Sequence, residues 1–195
     1  MYGETERETW LTKLPASSKA AALLLYAELD ALRAVKREAQ KLLLTESHRA
    51  PISRVLETCP GLGPVRVAQL VPIVVTPERF RTARQFWSYC GLGIVMRSSS
   101  DWVRQGDRWL RSQVATTRGL NRCHNSTLKA IFKGAAVTVI SSRSEEPLRK
   151  DYERLLTQGT KPNLAKVTVA RKIAATALAM WKRQEVYDPK RYRKQ

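Results

Sequence analysis

The chain has 195 residues, 43% of them hydrophobic, enough to bury one moderate core. Its 35 Lys and Arg against 17 Asp and Glu leave a formal charge of +18, which points to a polyanion, nucleic acid first, ahead of an acidic protein partner. Three widely spaced cysteines (Cys59, Cys90, Cys123) with no CxxC pair, and only two histidines, argue against a disulfide framework and a zinc site.

Residues 1–50 read as a helical linker or arm. They hold 8 basic and 7 acidic side chains, leaving 27 and 10 for residues 51–195, so binding is expected mainly in the second part. Ala20 to Leu44 is dense in strong helix formers, with Leu25, Leu29, Leu32, Ala39 and Leu43 at a three-four spacing that Lys36 interrupts. This near-neutral helix suits a pairing surface or an ordinary cover for the second part. Its apolar run Ala20 to Ala27 is too short to span a bilayer, no secretory leader precedes it, and a reducing cytoplasm is the expected location. Pro51 disfavours helix at Ala50 and marks a boundary.

Pro60-Gly61-Leu62-Gly63-Pro64-Val65-Arg66 has the spacing of a helix-hairpin-helix element. Gly61 permits a positive φ, Gly63 lets a phosphate approach the backbone, and Pro64 suits the first helical position. Unpaired amides at that helix start, with Arg66 beside them, can hold a phosphate oxygen without reading sequence. The plainer alternative is a Gly-Pro turn between structural helices. Ile73-Val74-Val75 is the one strand-like run.

Thr82-Ala83-Arg84-Gln85 forms a capping box for a two-turn helix carrying Phe86, Trp87 and Tyr89, closed by Gly91. Arg97-Ser98-Ser99-Ser100-Asp101 follows as a polar loop, either hydrogen-bonded to itself or holding a nucleophile. A serine attacking a phosphodiester needs compensating charge, which Arg97, Arg104 and Arg108 could supply. Asp101 and Asp107 alone make a poor metal site. Trp102 and Trp109 could stack on bases or anchor the loop in a core.

Arg118-Gly119-Leu120-Asn121-Arg122-Cys123-His124-Asn125 adds a further polar, basic stretch, with Arg118, Asn121, Arg122 and Asn125 as DNA-contact candidates. Leu128, Ile131, Phe132, Ala135, Ala136 and Val139 trace one helical stripe, while Arg122, Ser126, Lys129 and Lys133 trace another, so that helix packs on one side and binds on the other. Leu148 to Thr157 reads as a helix stopped by Gly159. Asn163 is expected to cap a last helix facing the core through Ala170, Ile173, Ala174, Ala177, Leu178 and Trp181. The expected fold is mainly α: a helical arm, then a compact multi-helix DNA-binding domain (51–195) with a helix-hairpin-helix-like element.

Pro60–Val65, Phe80-Arg81-Thr82, Arg84–Trp87, Tyr89–Leu92, Arg97-Ser98-Ser99, Arg118–Asn121, Phe132–Ala135 and Ala170–Ala174 together resemble the carboxy-terminal transposase domain of the insertion-sequence-110 family (116/110/902-type), particularly its 1111 subgroup. The likeness reaches upstream through Trp10-Leu11 and Leu29–Leu32. It implies a nucleophilic serine in a Ser-Gly or Ser-Ser-Gly motif, best matched by Ser99, with Ser98 and Ser100 as alternatives because Ser100 replaces the usual glycine. It also implies DNA breakage and joining through a serine ester, DNA as partner, a structured guide RNA, pairing of copies through the arm, and a bacterial, nucleoid-associated location. The family's amino-terminal RNase-H-like domain, whose acids bind magnesium, has no counterpart before Trp10. No metal or cofactor is therefore expected in this chain, and a weak or absent activity when it is alone. The other reading is a non-catalytic nucleic-acid-binding remnant.

Overall fold

The computed structural model describes residues 3–97, 102–111, 116–142 and 145–192, and the chain divides into two compact units, Met1–Glu46 and Ser47–Gln195. In the first, α1 (Glu4–Thr12) folds back on α2 (Ala16–Ser47). The Arg7 guanidinium forks onto both oxygens of Asp30 at 2.6 Å and stands 4.7 Å over the Tyr26 ring. That fork holds the Asp30 carboxyl below the usual carboxylate range. α2 runs a turn further at its start and three residues further at its end than the helix-former density suggested, and none of its residues is buried. Leu24, Leu25, Leu32, Val35 and Leu42 stand exposed along it.

The first whole helix of the second unit follows Ala50, whose extended backbone caps α3 (Pro51–Glu57) with Pro51 in the first helical position. A turn leads to α4 (Pro64–Val74), then a 3₁₀ turn (Pro77–Arg79) and α5 (Ala83–Tyr89). Ile73 and Val74, read from sequence as strand-like, instead end α4. Val67, Leu70 and Val74 recur at helical spacing and are fully buried, so burial overrides the β preference of a three-residue run. The capping box on α5 forms in both directions between Thr82 and Gln85. Gly91, at φ +66°, then ends the helix: its amide reaches Ser88 O and the Leu92 amide reaches Trp87 O at 2.8 Å.

After α5 the chain runs out and back as four short strands. β1 (Ile94–Arg97) pairs antiparallel with β4 (Thr116–Leu120), and β2 (Trp102–Gln105) pairs with β3 (Arg108–Arg111) across the two-residue turn Gly106-Asp107. α6 (Ser126–Ser141), α7 (Pro147–Thr157), α8 (Pro162–Arg183) and the short α9 (Pro189–Tyr192) complete the unit. Among the described residues the fold is mainly helical, and no helix is long and apolar enough to cross a membrane.

α8 is the spine. α3, α5, α6 and α7 all pack on it, against Ala165, Val169, Ala170, Ile173, Ala174, Ala177, Leu178, Met180 and Trp181, every one buried. The alanines let neighbouring backbones approach closely, and Phe132 and Phe86 fill the space beside them edge to face at 5.6 Å. α8 begins two residues earlier than expected: Lys161 occupies the cap and Pro162 the first helical position, so Asn163 lies inside the helix and is not its cap. Proline's missing N–H removes one of the orphan donors a capping side chain would otherwise serve.

Core burial also fixes protonation. Burial, aided by the Glu146 charge, pushes the Cys59 thiol up to about 12, and burial alone raises Cys90. Tyr187 donates its hydroxyl to Glu146 at 3.3 Å and is raised in the same way. All three stay protonated in the fold at pH values where an unfolded chain ionises, so the folded state holds more protons above about pH 9. Their stabilisation is complete below that pH and is lost as pH rises through the folded values. Thermal melting is expected to be flat from pH 7 to 9 and to fall steadily above it, and a thiol-reactive dye should modify exposed Cys123 in the native chain and the other two only after denaturation.

Candidate nucleic-acid interface

The turn between α3 and α4 presents two glycines in different circumstances. Gly61, at φ +79°, lies so close to α6 that a Cβ would stand 2.4 Å from the Ala135 carbonyl oxygen. Arg66, on the first turn of α4, donates to Gly61 O at 2.7 Å and to Thr138 Oγ1 at 3.1 Å, tying the turn to α6. Gly63 is the N-cap of α4, with nothing within 4 Å of an added Cβ. The Arg66 and Val67 amides return to the Gly63 carbonyl. Those of Gly63 and Val65 meet no backbone acceptor among the described residues, which leaves them at the positive end of α4.

A strap from Asn121 to Asn125 crosses the end of α5. Asn121 donates from its side chain to Ser88 O (3.2 Å) and from its amide to Gly93 O (3.0 Å), and its Oδ1 accepts from the Cys123 amide. The Asn125 amide reaches Tyr89 O at 2.9 Å, and its Oδ1 caps α6 by accepting from the Leu128 amide at 2.9 Å. Both asparagines thus direct their polar atoms inward. The His124 ring lies on the backbone of Gly91, where a Cβ would meet it at 2.4 Å, and Lys129 Nζ stands 3.4 Å from its Nε2.

The apolar stripe of α6 is wholly buried, and Ser126 and Lys133 are exposed on another face with Lys129 half-buried between them. Arg122 does not extend that row as the spacing suggested. Asn125 is the cap, so Arg122 belongs to the strap, where it is exposed.

The strands carry the remaining candidates. Arg97 ends β1, paired in register with Thr116, and Arg118 lies in β4 where the register shifts by one residue opposite Val95. Ser98, Ser99 and Ser100, with Asp101, lie outside the described residues, in the link between β1 and β2. Arg104 and Arg108 are exposed on the β2–β3 hairpin. Arg104 Nε donates to Gly106 O at 3.2 Å, and its guanidinium stands 3.7 Å from Asp107. Trp102 and Trp109 are 59% and 63% exposed, which excludes the anchoring role for either ring. Among the described residues no three His, Cys, Asp or Glu side chains gather as a metal site.

The strands themselves are what sequence reading missed. Trp102-Val103-Arg104-Gln105-Gly106-Asp107-Arg108-Trp109-Leu110-Arg111 carries the two-residue Gly-Asp turn that marks a hairpin, flanked by alternating aromatic and charged residues.

A helical unit with a glycine turn, an exposed basic helix face and a basic β finger is the class that fold and surface define. Residues 53–118, from α3 to β4, match the family model described as transposase IS116/IS110/IS902 family. The match supports a transposase domain of the IS110 family in this part of the chain. Among curated proteins no match was found.

The two glycines give opposite expectations. Gly61→Ala combines a left-handed backbone with a clash against helix backbone and should cost about 2–5 kcal/mol, visible as an early thermal transition. Gly63→Ala should leave melting within about 0.5 kcal/mol of the parent while weakening duplex DNA binding, because a methyl group there shields the open amides. Equal melting losses in both would remove Gly63 from the interface.

Proposed function

We propose that residues 51–195 are the DNA-binding, strand-joining domain of an insertion-sequence transposase, using a serine of the run Ser98–Ser100, Ser99 first, as nucleophile. The observation that carries this reading is the family match, which spans the glycine turn, α5 and the strands on either side of the serine run. Charge supports it, since this part of the chain holds 27 basic and 10 acidic residues. The turn acts as a helix-hairpin-helix element whose open amides at Gly63 and Val65 take a phosphate, with Arg66 fixing its pose. Arg122, Lys129 and Lys133 take further phosphates. Asn121 and Asn125 shape the strap that follows Arg118 of β4, carries Arg122 and sets the start of α6.

In the strand-transfer step the serine Oγ attacks phosphorus, a P–O bond to the leaving 3′ or 5′ oxygen breaks, and that oxygen takes a proton. The new serine ester keeps the energy of the broken bond, so rejoining needs no nucleotide cofactor. Arg97, Arg104 and Arg108 offset the charge gathering on the phosphate. Full activation of the hydroxyl calls for a magnesium-binding acidic domain of RNase-H type, together with a structured guide RNA. The exposed leucines of α2 serve to pair copies of the chain.

The test is covalent capture. The chain alone with magnesium and duplex DNA is expected to bind without forming an adduct. With the acidic domain of a relative and its guide RNA supplied, an adduct resistant to denaturant should form and vanish in Ser99→Ala. Persistence in that variant moves the nucleophile to Ser98 or Ser100, and an adduct formed by the chain alone contradicts the need for a second domain. Binding with no adduct under any of these conditions favours the non-catalytic reading.

A further inference from the structure

We propose that the β2–β3 hairpin is a stacking platform for unpaired bases of single-stranded DNA. The inference rests on the transposase reading and deepens it by naming the form of DNA that the finger takes.

Register carries the argument. In an antiparallel pair, directly opposed residues share a face, and so do alternate residues along each strand. Trp102 is opposite Arg111 and Arg104 opposite Trp109, so one face alternates aromatic and cationic positions in both directions. Trp102 and Trp109 are diagonal neighbours, a separation of about 7–8 Å between backbones. Both rings are more than half exposed, and neither belongs to the hydrophobic core or to the residues packed against it. Two large aromatic surfaces are therefore open to solvent on a two-stranded ribbon, which gains no core from them.

The chemistry of the face selects its occupant. Three arginines against one aspartate across residues 102–111 favour a polyanion over a cationic or neutral protein surface. Aromatic rings interleaved with cations bind bases through their π-faces and the backbone through charge, the pattern of proteins that hold single strands. In a duplex those π-faces are covered by neighbouring pairs, and only groove edges and phosphates are offered. Position agrees with function. Trp102 is three residues beyond Ser99, at most about 11 Å along an extended chain, so a base stacked there lies within a few nucleotides of a phosphate under attack. The hairpin holds the opened strand beside the nucleophile.

The experiment uses the full chain and compares binding to an oligodeoxythymidylate, a duplex of equal length and a single-stranded oligouridylate, by fluorescence anisotropy. Trp102→Ala/Trp109→Ala is expected to weaken the single-strand DNA complex by about tenfold or more, with duplex affinity and melting temperature unchanged. Trp102→Phe/Trp109→Phe should restore most of the loss, since a phenyl ring still stacks. Equal losses on single strand and duplex, no loss on either, or an early melt in the alanine variant would each overturn the platform. Tighter, tryptophan-dependent binding of the oligouridylate would assign the face to RNA and overturn the DNA assignment. If the parent binds neither DNA form, the transposase reading itself fails; if it binds duplex alone, only the platform does.

Discussion

The close approach of helices to the small-residue face of α8 is the constraint on which the second unit depends. Ala165, Ala170, Ala174 and Ala177 are buried on one side of a 22-residue helix, and four other helices pack on that helix. Side-chain hydrogen bonds to backbone lock the arrangement where apolar contact alone would not fix it: Trp87 Nε1 donates to Arg171 O at 2.9 Å, and Arg171 Nε donates to Leu92 O at 2.6 Å. The end of α5 is thereby fixed against α8. The strand β1 that leaves α5 starts from that fixed position.

The same economy appears in the polar residues. Arg66, Asn121 and Asn125 looked from sequence like surface contacts, yet each ties one segment to another through backbone oxygens or amides. Several carboxylates are taken up by cations of the same unit. Asp151 holds both Arg154 and Lys172, and Glu153 pairs with Arg149 at 3.0 Å. With 27 basic residues to 10 acidic ones after residue 50, such pairing cannot neutralise the unit. Lys133, Arg122, Arg104 and Arg108 are exposed, and an outside anion relieves the self-repulsion of the excess charge.

Local, short-range signals were legible in the sequence. The Thr82–Gln85 capping box, the Gly91 stop, the helix break at Ala50 ahead of Pro51 and the α6 stripe depend on residues within a few positions of one another, and each is present. Signals that depend on distant partners were not. Gly61 is needed because Ala135 is behind it, 74 positions later, and nothing in a Gly-x-Gly spacing says so. Asn163 is a local miss of another kind, since its neighbour Pro162 occupies the first helical position. β4 is short and polar and lies 18 residues beyond β1, so pairing rather than composition makes it a strand. Whether Trp102 and Trp109 were anchors or open faces was likewise a question of surroundings.

The central claim is that the excess charge of the second unit is there to neutralise DNA phosphates. The most direct measurement is the dependence of duplex affinity on salt, taken for the parent and for Lys129→Ala/Lys133→Ala. Each phosphate contact contributes a slope of about −0.9 to log K against log salt. The account predicts a steep negative slope in the parent that becomes shallower by about 2 in the double variant, with melting unchanged. A slope near zero, or a variant that melts early yet binds with the parent's slope, would contradict it.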